Sequence, residues 1–326
     1  MRRAVSLLKP TRTLILPKWP TFYSLNCVKK NFYSTSTETE KLHFDELASS
    51  WWDVEGPQRI LHKMNMLRMD FVNDNIRSQL KLNEPDTSPE DEVYVPPCNV
   101  ELFPKAVKNT IITDQERRRQ QLLKDEYLSV LDIGCGGGIF CESIARMDFV
   151  GSVKGIDVSS KVIEAAKLHQ MKDPELRESN KLKYEMRELE ELDSEEKFDI
   201  VTLFELLEHV EFPSKMLEQA LLKVNNGGWV FLSTINRDFV SWFTTIFLGE
   251  YILGVVPVGT HTLNKYINLE EIERWLAQKE NIKDNFRVVD VRGCVYLPAC
   301  GWVFTRTHDI GNYFMAIQKL EPSKIN

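Results

Sequence analysis

The sequence predicts an α/β fold in which helices cover both faces of a mostly parallel, seven-stranded sheet. Two observations support this prediction. From residue 128 onward, short apolar runs alternate with amphipathic segments, and four glycines follow the first run. Strands that alternate with helices pair in parallel, because each helix carries the chain back across the sheet. The last two apolar runs, FRVVDVRG and NYFMAIQKL, have no helix between them and predict an antiparallel edge.

The strands and helices predicted between residue 128 and the antiparallel edge are short and closely spaced. The predicted strands are LSVLDIG, SVKGIDVS, KLKYEMREL, the start of FDIVTLFELLEHV, and GGWVFLSTI. The predicted helices are IFCESIARM, KVIEAAKLHQMK, the end of FDIVTLFELLEHV, and SKMLEQALLKV. Together they form a doubly wound sheet, whose ligands bind at the carboxyl ends of the strands.

Charge and cysteine usage restrict the class of protein. The formal net charge is −7, yet residues 1–37 contain seven Lys and Arg and no Asp or Glu. This composition predicts a mitochondrial transit peptide, with a disordered basic arm that binds nucleic acid or lipid as the alternative. The acidic remainder argues against a nucleic-acid partner. Six scattered cysteines without a CxxC motif favour a reducing compartment.

Three further segments divide the rest of the chain. Residues 38–79 have helical periodicity and predict an N-terminal helical region that covers the ligand site. Residues 80–125 contain five prolines and dense charge, which predict an irregular insertion followed by a solvated helix. Residues 126–326 form the α/β domain, with an apolar insertion at 238–266. No apolar run is long enough to predict a membrane-spanning helix.

A cofactor site is predicted at the loop after the first strand. Gly134, Gly136 and their neighbours let the backbone turn tightly and leave no Cβ between the chain and a ligand. Such a loop suits a pyrophosphate or the carboxylate of a methionine. Asp132 would repel a pyrophosphate and suits the amino or sulfonium end of S-adenosylmethionine. Asp157 ends the second strand, where a carboxylate accepts hydrogen bonds from ribose hydroxyls.

A chemical site is predicted after the fourth strand. If a helix begins there directly, Glu205, Glu208 and His209 lie on one face of it. Two carboxylates and an imidazole are ligands for a hard cation. Two alternatives remain open: His209 is a general base without a metal, or the three residues cap and solvate a helix start.

The apolar run FVSWFTTIFLGEYILGVVPV at residues 239–258 carries aromatic residues at helical spacing. It predicts a segment that lies on a membrane surface or guides an apolar substrate. A lid helix packed on the sheet is the alternative. His261 follows in PVGTH and is a candidate for the substrate entrance.

Several of these motifs resemble a known family. VLDIGCGGG, GID and FDIVTLFELLEHV are similar to the class I methyltransferases. WWDVEG at 51–56, LHKMNMLR at 61–68, LLEHV at 206–210, LSTINR at 232–237 and PVGTH resemble more narrowly the ubiquinone-biosynthesis O-methyltransferases of bacteria and mitochondria. The resemblance covers about residues 41–79 and 128–320, and it implies a Rossmann-like class I methyltransferase fold.

The resemblance also implies roles for single residues. Arg68, Gly134, Asp157 and Phe204 match positions that line the S-adenosylmethionine pocket, and Arg68 would bind the methionine carboxylate. Glu188, after the third strand, is a weaker candidate for the adenine amino group. The family further implies that Glu205, Glu208 and His209 bind Mg²⁺, with Glu205 and His209 also acting in catalysis.

The implied function is methyl transfer from S-adenosylmethionine to hydroxyls of polyprenylated catechols, namely a dihydroxy-polyprenylbenzoate and demethylubiquinol. The implied setting is the matrix side of the mitochondrial inner membrane, as a peripheral protein in a complex with other ubiquinone-biosynthesis proteins. Two alternatives remain: a C- or N-methyltransferase on the same fold, or a cofactor-binding scaffold subunit of a lipid-synthesis complex.

Overall fold

A computed structural model describes residues 38–56, 58–78, 102–124, 126–238, 241, 263–297 and 301–322. The predicted transit peptide, most of the apolar insertion and His261 lie outside the described residues. The strands are β1 Leu128–Ile133, β2 Val150–Asp157, β3 Leu182–Met186, β4 Phe198–Phe204, β5 Val224–Ile235, β6 Phe286–Leu297, β7 Gly301–Thr305 and β8 Asn312–Lys319.

These strands form one sheet in the order β3-β2-β1-β4-β5-β8-β6-β7. The first five pair in parallel, as predicted. β8 runs antiparallel to both β5 and β6, which confirms the predicted antiparallel pair. The predicted number of seven strands was wrong. The run GWVFT pairs as β7 with the end of β6 and extends the edge to eight.

The helices are α1 Glu38–Leu47, α2 Arg59–Ser78, α3 Lys105–Lys124, α4 Ile139–Ala145, α5 Ser160–Gln170, α6 Pro174–Ser179, α7 Pro213–Leu222, α8 Leu269–Gln278 and α9 Glu280–Lys283. Local capping fixes some of their starts. Ser159 accepts a hydrogen bond from Val162 N at 3.2 Å before α5, and Asp173 caps α6 ahead of a proline.

An apolar core covers each face of the sheet. On one face, α2, α4 and α5 pack against the strands through residues such as Phe71, Ile144 and Ile163. On the other face, α7 and α8 do so through Leu217 and Ile272. The central strands are buried on both sides, which explains their continuous apolar runs. The carboxyl ends of these strands remain available for a site.

Helix α3 lies in the predicted charged insertion and is mostly exposed. Arg77 at the end of α2 pairs with Glu116 of α3, and Leu123 is buried. The residues of α3 are therefore largely solvated, and Arg77 and Glu116 join the helix to α2.

Candidate functional site

The glycine loop connects β1 to α4 at the carboxyl edge of the sheet. Gly134, Gly136 and Gly138 have φ values of 70°, 54° and 87°, in the left-handed region that favours glycine. A Cβ on Gly136 would lie 2.4 Å from Cζ2 of Trp51, and one on Gly137 would lie 2.1 Å from Cδ1 of the same ring. The loop therefore needs glycine for its backbone shape and for the close approach of an indole.

Asp132 lies at the base of this loop and is 3 % exposed. Thr202 Oγ1 donates to its Oδ1 at 2.5 Å, and Cys141 Sγ donates to its Oδ2 at 3.1 Å. Burial raises the pKa of Asp132, and the bond from Thr202 lowers it again. Its two oxygens are thus held by a residue of β4 and a residue of α4, partners that the sequence did not reveal.

Asp157 ends β2 beside the same loop. Its Oδ2 accepts a hydrogen bond from Gly136 N at 3.0 Å, and its Oδ1 accepts one from Ser159 N at 2.9 Å. Burial raises its pKa, while these backbone bonds lower it. Asp157 therefore ties the glycine loop to the start of α5, at the edge where ligands bind in open α/β sheets.

Arg68 reaches the site from α2 and is 7 % exposed. Its guanidinium lies 5.3 Å from the centre of the Phe204 ring, and Nη2 lies 3.9 Å from Met64 Sδ. Within the described part of the chain it has no ion-pair partner, and its buried Nε has no hydrogen bond. Burial lowers its pKa, and the charges of Glu205 and Asp132 raise it. A buried cation in this state suits an anionic ligand.

Glu188 has a structural role in the described geometry. It precedes the 3-10 turn Leu189–Glu191 and forms a reciprocal capping box with Glu191. The Glu188 N–H donates to Glu191 Oε2 at 3.2 Å. The position follows β3, as the sequence indicated, but a contact to an adenine amino group stays a prediction.

Glu205 follows β4 with a φ of 52°, in the left-handed region. Its N–H donates to both Ser233 O and Ser233 Oγ at 3.1 Å. Its carboxylate accepts from Ser233 Oγ at 2.8 Å and from Asn312 Nδ2 at 3.3 Å. Residues of two strands, β5 and β8, therefore hold a strained residue in place, and strain of this kind clusters at functional sites.

Glu208 is buried, with 4 % of its surface exposed. Thr234 Oγ1 donates to its Oε2 at 2.8 Å. Burial, and then the charge of Glu205, raise the pKa of Glu208 to about 7. The carboxyl is thus poised between its charged and neutral forms near neutral pH.

The predicted helix after β4 was wrong in one respect. Because Glu205 turns into the left-handed region, the chain makes a 3-10 turn at Leu207–His209 and not an α-helix directly after the strand. The three residues therefore do not share one helical face. In the described ranges, no group of three or more His, Cys, Asp or Glu side chains is arranged to hold a metal ion.

Helix α1 and the turn after it lie over this edge of the sheet. The Phe44 ring packs edge-on against His209 at 5.4 Å and lies 6.2 Å from the Trp51 ring. Asp45 accepts a hydrogen bond from Ser159 Oγ at 2.5 Å, beside Asp157. Contacts from α1 thus extend from the turn after Asp157 to His209.

The two ends of the apolar insertion meet at the carboxyl end of β5. Arg237 N donates to Asn268 Oδ1 at 2.7 Å, and Ile267 N donates to Ile235 O at 3.0 Å. The insertion therefore leaves and re-enters the fold beside Thr234 and Glu208. Among the described helices, none has the length and apolar character needed to cross a membrane.

Some residues of this site were not identified from the sequence. Thr202, Ser233, Thr234 and Asn312 orient the acidic side chains. Their signal is a polar residue at the carboxyl end of an otherwise apolar strand, as in FLSTI, because such a residue must find a buried partner.

The chain is similar in sequence to known methyltransferases. A family model described as a methyltransferase domain matches residues 105–281. The chain is 60% identical over 288 residues to a mitochondrial ubiquinone biosynthesis O-methyltransferase of Candida albicans, covering 88% of this chain and 86% of that one. It is 48% identical to the protein of the same name in Saccharomyces cerevisiae, covering 87% and 88%. The plantazolicin methyltransferase BpumL, solved with SAH, matches 67% of this chain and 92% of its own at 18% identity and a TM-score of 0.46.

Proposed function

Since the chain belongs to the ubiquinone biosynthesis O-methyltransferases, we propose that it methylates hydroxyls of polyprenylated catechols at the carboxyl edge of its sheet. It is an S-adenosylmethionine-dependent O-methyltransferase of the mitochondrion. The proposed substrates are a dihydroxy-polyprenylbenzoate and demethylubiquinol. The observation that carries the proposal is the buried Arg68, which has no ion-pair partner among the described residues and lies near Glu205 and near Asp132 at the base of the glycine loop.

In this proposal, the glycine loop and its neighbours bind S-adenosylmethionine. Arg68 binds the methionine carboxylate, Gly134 and Gly136 allow the backbone to approach it, and Asp157 accepts hydrogen bonds from the ribose. Asp132, Phe204 and Glu188 complete the pocket. The lack of a carboxylate partner for Arg68 in the described residues supports this assignment, because an unpaired buried cation is costly without a ligand.

The methyl group moves from the sulfonium sulfur to a catechol oxygen in an in-line displacement. The new carbon–oxygen bond forms as the carbon–sulfur bond breaks, and the hydroxyl proton must leave. Glu205, Glu208 and His209 are the proposed groups that orient the hydroxyl and accept that proton. A Glu208 with a pKa of about 7 is matched to this task near neutral pH.

Mg²⁺ is a further part of the proposal. Glu205, Glu208 and His209 would hold it, and it would supply a lower pKa for the catechol hydroxyl. The mutual repulsion of the two carboxylates supports a cation between them, since Glu205 raises the pKa of Glu208. The backbone turn at Glu205 and the lack of a three-residue cluster in the described chain count against a preformed metal site. His209 as a metal-free base is therefore the competing proposal.

We place the enzyme at the matrix face of the inner membrane, as a peripheral protein in a complex with other ubiquinone-biosynthesis proteins. Support comes from the apolar run at 239–258 and from the basic, acid-free residues 1–37 as a transit peptide. Carbonate extraction of mitochondrial membranes tests the attachment. Recovery of all the protein in the soluble matrix would contradict it.

The deciding experiment assays the purified protein with a short-chain catechol, S-adenosylmethionine, and either Mg²⁺ or EDTA. We expect methyl ether formation that Glu208→Gln and His209→Ala abolish while SAH still binds. Activity that survives EDTA and depends on His209 would replace the metal with a general base. A protein that binds SAH but methylates no catechol would favour the scaffold role or another methyl acceptor.

A further inference from the structure

We propose that Trp52, held by His169 and Glu142, is a positioning residue that fixes the glycine loop for cofactor binding. The proposal rests on the cofactor site proposed above and adds residues that lie outside it. Trp52 Nε1 donates a hydrogen bond to Gly137 O at 2.9 Å. This bond spans 85 residues of sequence and ends on the loop itself.

The indole of Trp52 is oriented by a second contact. Its ring stacks on the His169 imidazole of α5, with centroids 3.4 Å apart and planes inclined by 3°. A flat stack leaves the indole little freedom to rotate, so its N–H stays directed at the loop carbonyl. His62 of α2 packs edge-on against the same ring at 5.4 Å.

His169 is oriented in turn by a buried carboxylate. Its Nδ1 lies 2.8 Å from Glu142 Oε1, and Glu142 is 2 % exposed. Glu142 lies in the first turn of α4, and its N–H donates to Gly138 O at 2.9 Å. The contacts therefore form a closed path that leaves the loop at Gly137, passes through Trp52, His169 and Glu142, and returns at Gly138.

Trp51 completes the support from the same turn. Its ring lies where Cβ atoms of Gly136 and Gly137 would be, and its carbonyl pairs with His62 Nε2 at 2.9 Å. Glycine has the largest conformational freedom of any residue, so a loop of four glycines loses much entropy when it binds a ligand in one shape. Prior fixation of Gly137 reduces that loss and favours cofactor binding.

A comparison with Trp302 distinguishes positioning of the glycine loop from simple anchoring of the N-terminal region. Its Nε1 donates to Ile60 O at 3.0 Å, a bond of the same kind that ends on α2 and not on the glycine loop. Trp302→Phe is therefore a matched control for Trp52→Phe, because each removes one indole donor and keeps an aromatic ring.

The test measures the SAH dissociation constant by calorimetry, KM for S-adenosylmethionine, KM for a short-chain catechol, kcat and Tm of the purified full chain. For Trp52→Phe we expect SAH binding to weaken by about three- to tenfold, the value of one neutral hydrogen bond. KM for S-adenosylmethionine should rise, while kcat and KM for the catechol stay unchanged. Trp302→Phe should change SAH binding by less than about twofold at a similar loss of Tm.

Two variants protect the test against poor folding. His169→Phe keeps a ring under Trp52 but removes the bond to Glu142, and should shift SAH binding in the same direction. Glu142→Gln keeps an oxygen for His169 and should bind SAH nearly as the wild type does. If Trp52→Phe and His169→Phe match Trp302→Phe in SAH affinity, the positioning role is wrong.

Arg68→Met distinguishes failure of this inference from failure of the proposed function. If it binds SAH as tightly as the wild type, the cofactor site itself is misplaced. If it loses SAH while Trp52→Phe and His169→Phe do not, the cofactor site stands and the positioning role alone fails.

Discussion

The guanidinium of Arg68 lies 5.3 Å from the centre of the Phe204 ring. A buried charged side chain of α2 thus contacts the last residue of β4. The ring offers weak electrostatic attraction but no hydrogen-bond acceptor. Glu205 and Asp132 are close enough to raise the pKa of Arg68, yet neither forms an ion pair with it. The cation is thus stabilised incompletely until a ligand supplies an anion.

Arg68→Met should weaken SAH binding by at least about tenfold, because a charge-assisted contact to the carboxylate is lost. The free protein should be as stable as the wild type or more stable, since the methionine replaces a buried cation with an apolar chain. Calorimetry with SAH and thermal unfolding without it measure the two effects.

Arg292→Met is the control for that variant. Arg292 also lies on aromatic rings, 5.3 Å from Phe71, but it has carboxylate partners at 2.8 Å in both Asp74 and Asp290. Its loss should lower the stability and leave SAH binding unchanged. Equal effects of the two substitutions on SAH binding would argue against a ligand role for Arg68.

The raised pKa of Glu208 makes stability depend on pH in a definite direction. The folded protein holds this proton up to a pKa of about 7, whereas the unfolded chain releases it at an ordinary carboxyl pKa. The folded state therefore binds more protons in between, and stability falls as the pH rises toward and through 7. The free energies of unfolding of Glu208→Gln and the wild type, measured by urea unfolding in EDTA, should diverge between pH 5 and about pH 8. The variant should become more stable relative to the wild type as the pH rises.

Glu211→Gln is the matched control, because Glu211 is exposed in the same turn region. It should follow the wild type across the whole pH range. A Glu208→Gln profile parallel to the wild type would mean that Glu208 is already ionised at low pH.

The parallel part of the sheet was predictable because it depends on local patterns. Short apolar runs predicted β1 to β5, and the position of Asp157 at the end of β2 followed from the second run. The strand β7 was missed because its five residues are only partly buried and depend on pairing with β6. Long-range pairing of a short strand leaves little trace in local periodicity.

The turn after β4 was missed for a different reason. The spacing of Glu205, Glu208 and His209 fits an α-helix, and a positive φ at a glutamate has no sequence signal. Ser233 and Asn312, which hold that glutamate, are 28 and 107 residues away along the chain. Sequence reasoning thus named candidate chemical groups but not the contacts that orient them.

The buried cysteines should be inert in the folded protein. Burial raises the pKa of Cys135 to about 11, and those of Cys141 and Cys294 well above the ordinary value. Since the thiolate is the nucleophile, iodoacetamide at pH 8 should leave these three unmodified until urea unfolds the chain. Mass spectrometry of the digested protein measures this, and rapid labelling of Cys135 before unfolding would contradict it.

The left-handed backbone at Glu205 gives a test that separates strain from chemistry. At a position with an ordinary negative φ, a protein with alanine is more stable than the same protein with glycine, because glycine loses more conformational entropy on folding. At Glu205, with a φ of 52°, the order should reverse, and Glu205→Gly should be more stable than Glu205→Ala by about 1 kcal/mol. Both variants lack the carboxylate and should lose catechol methylation equally, while SAH still binds.

Asn180 provides the matched control, since its φ of 53° at the end of α6 is nearly the same and it lies outside the proposed site. Asn180→Gly should likewise be more stable than Asn180→Ala, and both should retain full activity. Urea unfolding of the four variants and a methylation assay give the comparison. The contrary outcome is that Glu205→Gly is less stable than Glu205→Ala while Asn180→Gly is more stable than Asn180→Ala. The turn after β4 would then not be strained in solution, and an α-helical arrangement of Glu205, Glu208 and His209 would be favoured.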